Sequence, residues 1–154
     1  MPKFYMLIGV PGSGKSTWIK NANLDSNTVI ISTDDIIEKR ARAQGLTYSD
    51  VFQAEIKSAT AEMNRILGDA LANNKDIVWD QTNLTVKSRR SKLAQIPEQY
   101  LKIAVYFSTP DNAELQRRLD NRPGKVIPSN VVLGMKSQLQ LPMLDEGWHE
   151  IWNA

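Results

Sequence analysis

Gly9-Val-Pro-Gly-Ser-Gly14-Lys15-Ser16 satisfies the pattern G-x-x-x-x-G-K-[ST] at every fixed position. Its surroundings make it a strong constraint on the fold. Lys3-Phe-Tyr-Met-Leu-Ile-Gly9 is an apolar run that reads as a buried strand, and a helix is expected from Gly14 to about Asn23. Between strand and helix, a glycine-rich turn points its backbone N–H groups inward as an anion nest, and the helix dipole adds to it. Gly12, Ser13, Gly14, Lys15, Ser16 and Thr17 are therefore expected to hold the phosphates of a nucleotide. Lys15 would reach the β- and γ-phosphates, and the Ser16 hydroxyl would ligate Mg²⁺. ATP and Mg²⁺ are the expected ligands.

The rest of the chain alternates strand and helix. Thr28–Ser32, Asp76–Asp80 and Leu101–Phe107 read as short buried strands. A long helix is expected over Ser49–Asn73, where Phe52, Ile56, Ala59, Met63, Ile66, Leu67, Ala70 and Leu71 recur at helical spacing. Further helices are expected from Asp34, from Thr109-Pro110-Asp111 with Pro at the first helical position, and over Ser129–Leu141. This alternation predicts an α/β, three-layer P-loop NTPase fold. Its core would be a four-stranded parallel sheet in the order 2-3-1-4, flanked by helices. One domain over residues 1–154 is expected, with a lid at about 117–128.

Composition narrows the chemistry. There is no cysteine and one histidine, His149, which excludes a thiolate site, a cysteine nucleophile and a multi-histidine metal centre. No apolar run approaches the ~18 residues of a membrane span, so no membrane partner and a cytoplasmic setting are expected. A GTPase would need a base-reading N-K-x-D segment, and none occurs. The length argues against a motor or AAA-type ATPase and leaves a small phosphotransferase. The net charge of +2 is unevenly spread. Leu84–Val126 holds nine Lys/Arg against four Asp/Glu, either a face for an anionic partner or a solvated helix surface.

Two strand ends carry acids. In a parallel sheet all strand C-termini open on one edge, so Asp34, Asp35 and Asp80 should converge near Lys15. Asp80, after Ile-Val-Trp, suits a Walker-B acid orienting Mg²⁺. Asp34 is placed to accept a proton from an acceptor hydroxyl as general base, or else to cap the second helix. Asp35 would be a cap or a metal-water contact. Arg117, Arg118, Arg122 and Lys125 lie on or beyond the helix after strand four, beside Asn121, Pro123 and Gly124. They would either clamp a transferring phosphate or form a solvated basic helix end.

With these residues in place, the chain resembles the polynucleotide kinase family of P-loop phosphotransferases. The resemblance is to the 5′-hydroxyl kinase domains of phage and animal end-healing enzymes. It runs through Gly9–Trp18, Asp34-Asp35, Asp80-Gln-Thr-Asn83, Arg118 and Arg122 before Val-Ile-Pro128, and Pro142-Met-Leu-Asp-Glu-Gly-Trp148. It implies transfer of the ATP γ-phosphate to a 5′-hydroxyl of DNA or RNA. Asp34 would be the base, Lys15 and Ser16 would engage ATP·Mg²⁺, and Arg122 would clamp the transition state with Arg118 beside it. A phage-encoded protein in a host cytoplasm would fit. The phage enzymes carry an Arg three residues after the base, where this chain has Ile37. Arg40 would be the substitute, and Asn83 and Arg89/Arg90 would face the acceptor. That departure keeps open a kinase for a nucleoside, a small metabolite or a hydroxymethylated DNA base. A nucleotide-dependent switch without transfer is a third reading.

Among the tryptophans, Trp18, Trp79, Trp148 and Trp152 are expected to pack rather than to stack bases. His149 is expected to be a surface residue beside Glu150.

Overall fold

The computed structural model describes all 154 residues. Its strands are β1 (Lys3–Ile8), β2 (Val29–Ile31), β3 (Ile77–Asp80), β4 (Leu101–Tyr106) and β5 (Glu150–Asn153). The α-helices are α1 (Lys15–Asn21), α2 (Thr33–Ala43), α3 (Tyr48–Ala72), α4 (Val86–Leu93), α5 (Asn112–Asp120) and α6 (Ser129–Gln138). A single 3₁₀ turn covers Leu144–Glu146. The sheet is parallel throughout, in the order β2-β3-β1-β4-β5. No helix is long and apolar enough to cross a membrane.

The expected order 2-3-1-4 is present, but the sheet has five strands rather than four. β5 escapes a sequence reading because only Ile151 of its four residues is even half-buried. It is an edge strand, held through backbone pairing of Ile103–Tyr106 with Glu150–Asn153.

β1 shows why its sequence is a continuous apolar run. Phe4, Met6 and Ile8 point to one face, where Met63 and Leu67 of α3, Trp79 and Trp148 complete the core. Tyr5 and Leu7 point to the other, against Val78, Ile103, Val105 and Phe107, with Trp18 and Ile19 of α1 packed over them. A strand covered on both faces has no polar side, and burying such residues stabilises the fold by roughly 1.5–3 kcal/mol each. Trp79 and Trp148 are core residues, and Trp18 lies between Tyr5 and Phe107 at 5.8 and 6.4 Å. Trp152 is partly exposed and packs on Tyr5. His149 is exposed, and its Nδ1 accepts from the Lys102 N–H at 2.9 Å.

Helix starts differ in detail from expectation. Ser32, not Asp34, caps α2, accepting from the Asp35 N–H at 3.3 Å. Thr47 caps α3 in a reciprocal box with Asp50. Asp111 caps α5, so Pro110 precedes the cap instead of occupying the first helical position. α4 was not expected, because Val86-Lys-Ser-Arg-Arg-Ser-Lys-Leu93 has no apolar stripe; it turns Arg89 and Leu93 inward.

Candidate active site

All strand C-termini open on one edge, and there the chain forms a cleft of about 840 Å³. Its wall includes the glycine-rich loop, Asp34, Asp35 and Glu38 of α2, Asp80 at the end of β3, and Arg117, Arg118, Arg122 and Lys125. The convergence follows from the parallel register: β1, β2 and β3 deliver the loop, the acid pair and Asp80 to the same edge.

The loop geometry depends on its glycines. Gly14 has φ 108°, a conformation L side chains rarely adopt. A Cβ on Gly9 would lie 2.5 Å from Ser13 Oγ, closer than any real contact allows. Lys15 folds back over this loop, with Nζ donating to the carbonyls of Gly9 at 2.6 Å and Val10 at 3.3 Å. Burial pulls its pKa down to about 8, opposed by Asp80 and Asp34 and reinforced by Arg122 and Lys125.

Asp34 accepts two hydrogen bonds, from the Tyr48 hydroxyl at 2.7 Å and from Lys125 Nζ at 2.9 Å. Burial pushes this carboxyl up, but Lys125 and Tyr48 outweigh it and hold it below its ordinary value. Lys125 also reaches Glu38 at 3.3 Å and lies over the Tyr48 ring at 4.5 Å. Asp80 has the opposite balance. Burial and the neighbouring Asp35 and Asp34 charges raise its pKa to about 6 against the pull of Lys15. Asp35 is also raised, by burial and then by Glu38 and Asp34.

Two polar groups at the cleft have no hydrogen-bond partner. Arg122 Nη1 and Ser13 Oγ are buried without a hydrogen-bond partner. Arg118 Nη1 donates to the Gly12 carbonyl at 2.9 Å, and its Nε to Glu114 at 2.8 Å. Uncompensated buried donors are costly, so this is a chemical fit for a polyphosphate. No group of three or more His, Asp or Glu side chains is gathered as a metal cage. Ser16 and Asp80 fit the sparse protein ligation Mg²⁺ takes when phosphates supply further oxygens.

Gly12, Ser13, Gly14, Lys15, Ser16, Thr17, Asp34, Asp35, Asp80, Arg118 and Arg122 thus line one cleft. Arg40 and Asn83 do not. Arg40 Nη1 is held on α3 by Glu55 at 2.9 Å and Ser58 at 3.0 Å, and Ile37 is fully buried. Asn83 is buried, its Nδ2 donating to the Leu7 and Gln81 carbonyls at 2.8 and 3.2 Å. Arg89 does not face an acceptor either. It is fully buried and bidentate to Glu146, with Nη1 on the Asn83 and Leu84 carbonyls. Tyr48 and Glu38 were not singled out by sequence. Tyr48 carries no motif, and only the packing of α2 against α3 puts its hydroxyl on Asp34.

Comparison with known proteins places the fold. The chain is similar to heterogeneous nuclear ribonucleoprotein U-like protein 2 of Mus musculus, 24% identical over 147 residues, covering 89% of this chain and 19% of that protein. It therefore spans about a fifth of that relative's length. Among solved structures it resembles a chain of the Pnkp1/Rnl/Hen1 RNA repair complex, with TM-score 0.67 and 26% identity over 90% of this chain and 44% of that one. It shares the fold of shikimate kinase from Acinetobacter baumannii, with TM-score 0.56 and 22% identity over 100% and 84% of the two chains. The family described as an AAA domain matches residues 4–142, so the argument from length against an AAA-type protein does not hold against this family. With its phosphate loop, parallel sheet and convergent acids, the chain belongs to that AAA domain family and has the fold of a P-loop kinase.

Proposed function

We propose that this chain is a single P-loop kinase domain that transfers the γ-phosphoryl group of ATP to the 5′-hydroxyl of a nucleic acid. One observation carries the reading: Asp34 shares a cleft with Lys15 and with Arg122, whose Nη1 is buried and unpartnered. A base for the hydroxyl, a lysine for the phosphates and a free guanidinium for the equatorial oxygens are the parts an in-line transfer needs.

Lys15 exchanges its contacts with the Gly9 and Val10 carbonyls for phosphate oxygens. Ser16 and Asp80 are the residues that would hold Mg²⁺, which neutralises charge on the phosphates when bound. Asp34 takes the acceptor proton once Lys125 gives way. Segment 117–128 serves as a lid, its arginines excluding water while the phosphoryl group moves. Likeness to a chain of an RNA repair complex supports a nucleic-acid acceptor.

A second reading, a kinase for a small hydroxyl compound, is favoured by the burial of Ile37 and the engagement of Arg40 by α3. Incubation with γ-labelled ATP and a panel of 5′-OH oligonucleotides, nucleosides and sugars separates the two. Label on DNA or RNA ends supports the first. A mononucleoside or sugar accepted better than any oligonucleotide selects the second.

A further inference from the structure

The segment 117–128 meets the corner between α2 and α3 at three consecutive residues. The Gly124 carbonyl accepts from the Ser49 N–H at 3.1 Å, and the Val126 N–H donates to Ser49 Oγ at 3.1 Å, across 77 positions of sequence. Between them Lys125 turns inward to Asp34 and Glu38, with Nζ over the Tyr48 ring. Ser49 thus clasps the segment's backbone on both sides of Lys125.

The clasp has a physical origin on each side. The first N–H groups of a helix lack intrahelical acceptors. At the start of α3, Thr47 Oγ1 takes the Asp50 N–H and the Gly124 carbonyl takes that of Ser49. Gly124 in turn has φ 69°, and a Cβ on it would lie 2.9 Å from Thr47 Cβ and 3.0 Å from Thr47 Cγ2. Only glycine lets the two backbones come this close. Arg122-Pro123-Gly124-Lys125 is also a tight turn, closed by the Lys125 N–H on the Arg122 carbonyl at 3.4 Å, with Pro123 fixing one φ. A turn held at Gly124 therefore holds the backbone of Arg122, whose Nη1 is buried and unpartnered at the cleft.

We propose that Ser49 and Gly124 are positioning residues: the α2–α3 corner is the seat on which the lid docks, and this docking delivers Arg122 to the transferring phosphate. The delivery rests on the kinase reading above; the docking does not. Thr47, Ser49 and Gly124 do not line the main cleft, so they act through the lid rather than by contact. The same corner supplies Tyr48 to Asp34, so one turn of α3 sets the proposed base and the proposed clamp together.

Trypsin reads the docking without turnover. Lys125 has a side-chain exposure of 8% when docked, so cleavage of the Lys125–Val126 bond, followed by mass, reports a released lid. In Gly124→Ala this cleavage is expected to run about tenfold or more faster than in the unaltered chain, with other tryptic sites unchanged. Adding Thr47→Gly removes both close carbons, leaves a residue acceptable at a helix cap, and is expected to slow the cleavage again. Equal rates in the unaltered chain and Gly124→Ala, or no slowing by Thr47→Gly, overturn the seat whether or not the chain is a kinase. The second measurement is phosphorylation of the acceptor selected from the panel above. Gly124→Ala is expected to lower kcat about tenfold or more with little change in KM for ATP, as for a displaced catalytic group. In an Arg122→Ala background it is expected to lower kcat no further, because both changes act through one group. An unchanged kcat, or losses that multiply in the double variant, overturn the delivery of Arg122. An unaltered chain that phosphorylates nothing in the panel overturns the delivery together with the kinase reading and leaves the docking result standing.

Discussion

Lys125 Nζ lies 2.9 Å from Asp34 Oδ2, joining residues 91 apart in sequence. The contact places the basic end of segment 117–128 on the acid proposed as base. Lys125 is buried and also bound to Glu38, while Tyr48 holds the other carboxylate oxygen of Asp34. The carboxylate therefore stays ionised and in place, and Lys125 competes with an acceptor hydroxyl for Oδ2.

This pair sets a pH prediction. Asp34 has a depressed folded-state pKa, so its ionised form is favoured and its stabilising contribution is lost as pH falls through that value. Lys125→Met removes the largest opposing influence and leaves burial to raise the carboxyl. The acid limb of a kcat/KM profile is expected to move to higher pH in the variant. A limb that stays in place would show that Asp34 is not the group titrating in turnover.

Lys15→Ala is expected to lower kcat by ~10² or more, the scale of losing one donor to transition-state charge. Lys15 is only partly buried and its hydrogen bonds are confined to the phosphate loop, so the sheet should remain folded. Steady-state kinetics with a thermal melt checks both parts. Near wild-type kcat would refute the phosphate-loop assignment.

Arg122→Ala is expected to lower kcat by ~10³ or more, if its unpartnered Nη1 meets charge that develops only in the transition state. An effect confined to KM would reduce the residue to a ground-state contact.

Arg89→Met tests a structural ion pair. Arg89 and Glu146 have side-chain exposures of 0% and 2%, and the pair ties α4 to the turn at Leu144–Glu146. Removing one partner strands the other charge, so a loss of about 3–5 kcal/mol is expected in urea unfolding. Burial raises the Glu146 carboxyl, but Arg89, the Met143 N–H and Trp148 outweigh it and leave it below its ordinary value. The wild-type contribution is thus present above the unfolded carboxylate pKa and declines as pH falls through the folded one. A variant that unfolds at the same urea concentration at pH 7 would contradict this role.

Asp34 and Arg89 show how differently legible two polar residues can be. The position of Asp34 follows from local order alone: a β-branched strand, an acid pair, and a parallel sheet that sends every strand end to one edge. Arg89 reads in sequence as one more cation of a basic stretch, yet it is fully buried. Nothing within a few residues of it reveals Glu146, 57 positions later.

The phosphate loop and the apolar runs of β1 and β3, buried on both faces, were determined by sequence, because each depends on neighbours within a few residues or on apolar period; β2, also read as buried, lies at the sheet edge with Ile30 exposed. Tertiary structure alone decided α4, β5, the Tyr48–Asp34–Lys125 contact and the engagement of Arg40 and Asn83 away from the main cleft. α4 buries an arginine in place of an apolar stripe, and β5 is held through its backbone. Each polar contact pairs groups distant in the chain, and such partners become visible only when the helices are packed on the sheet.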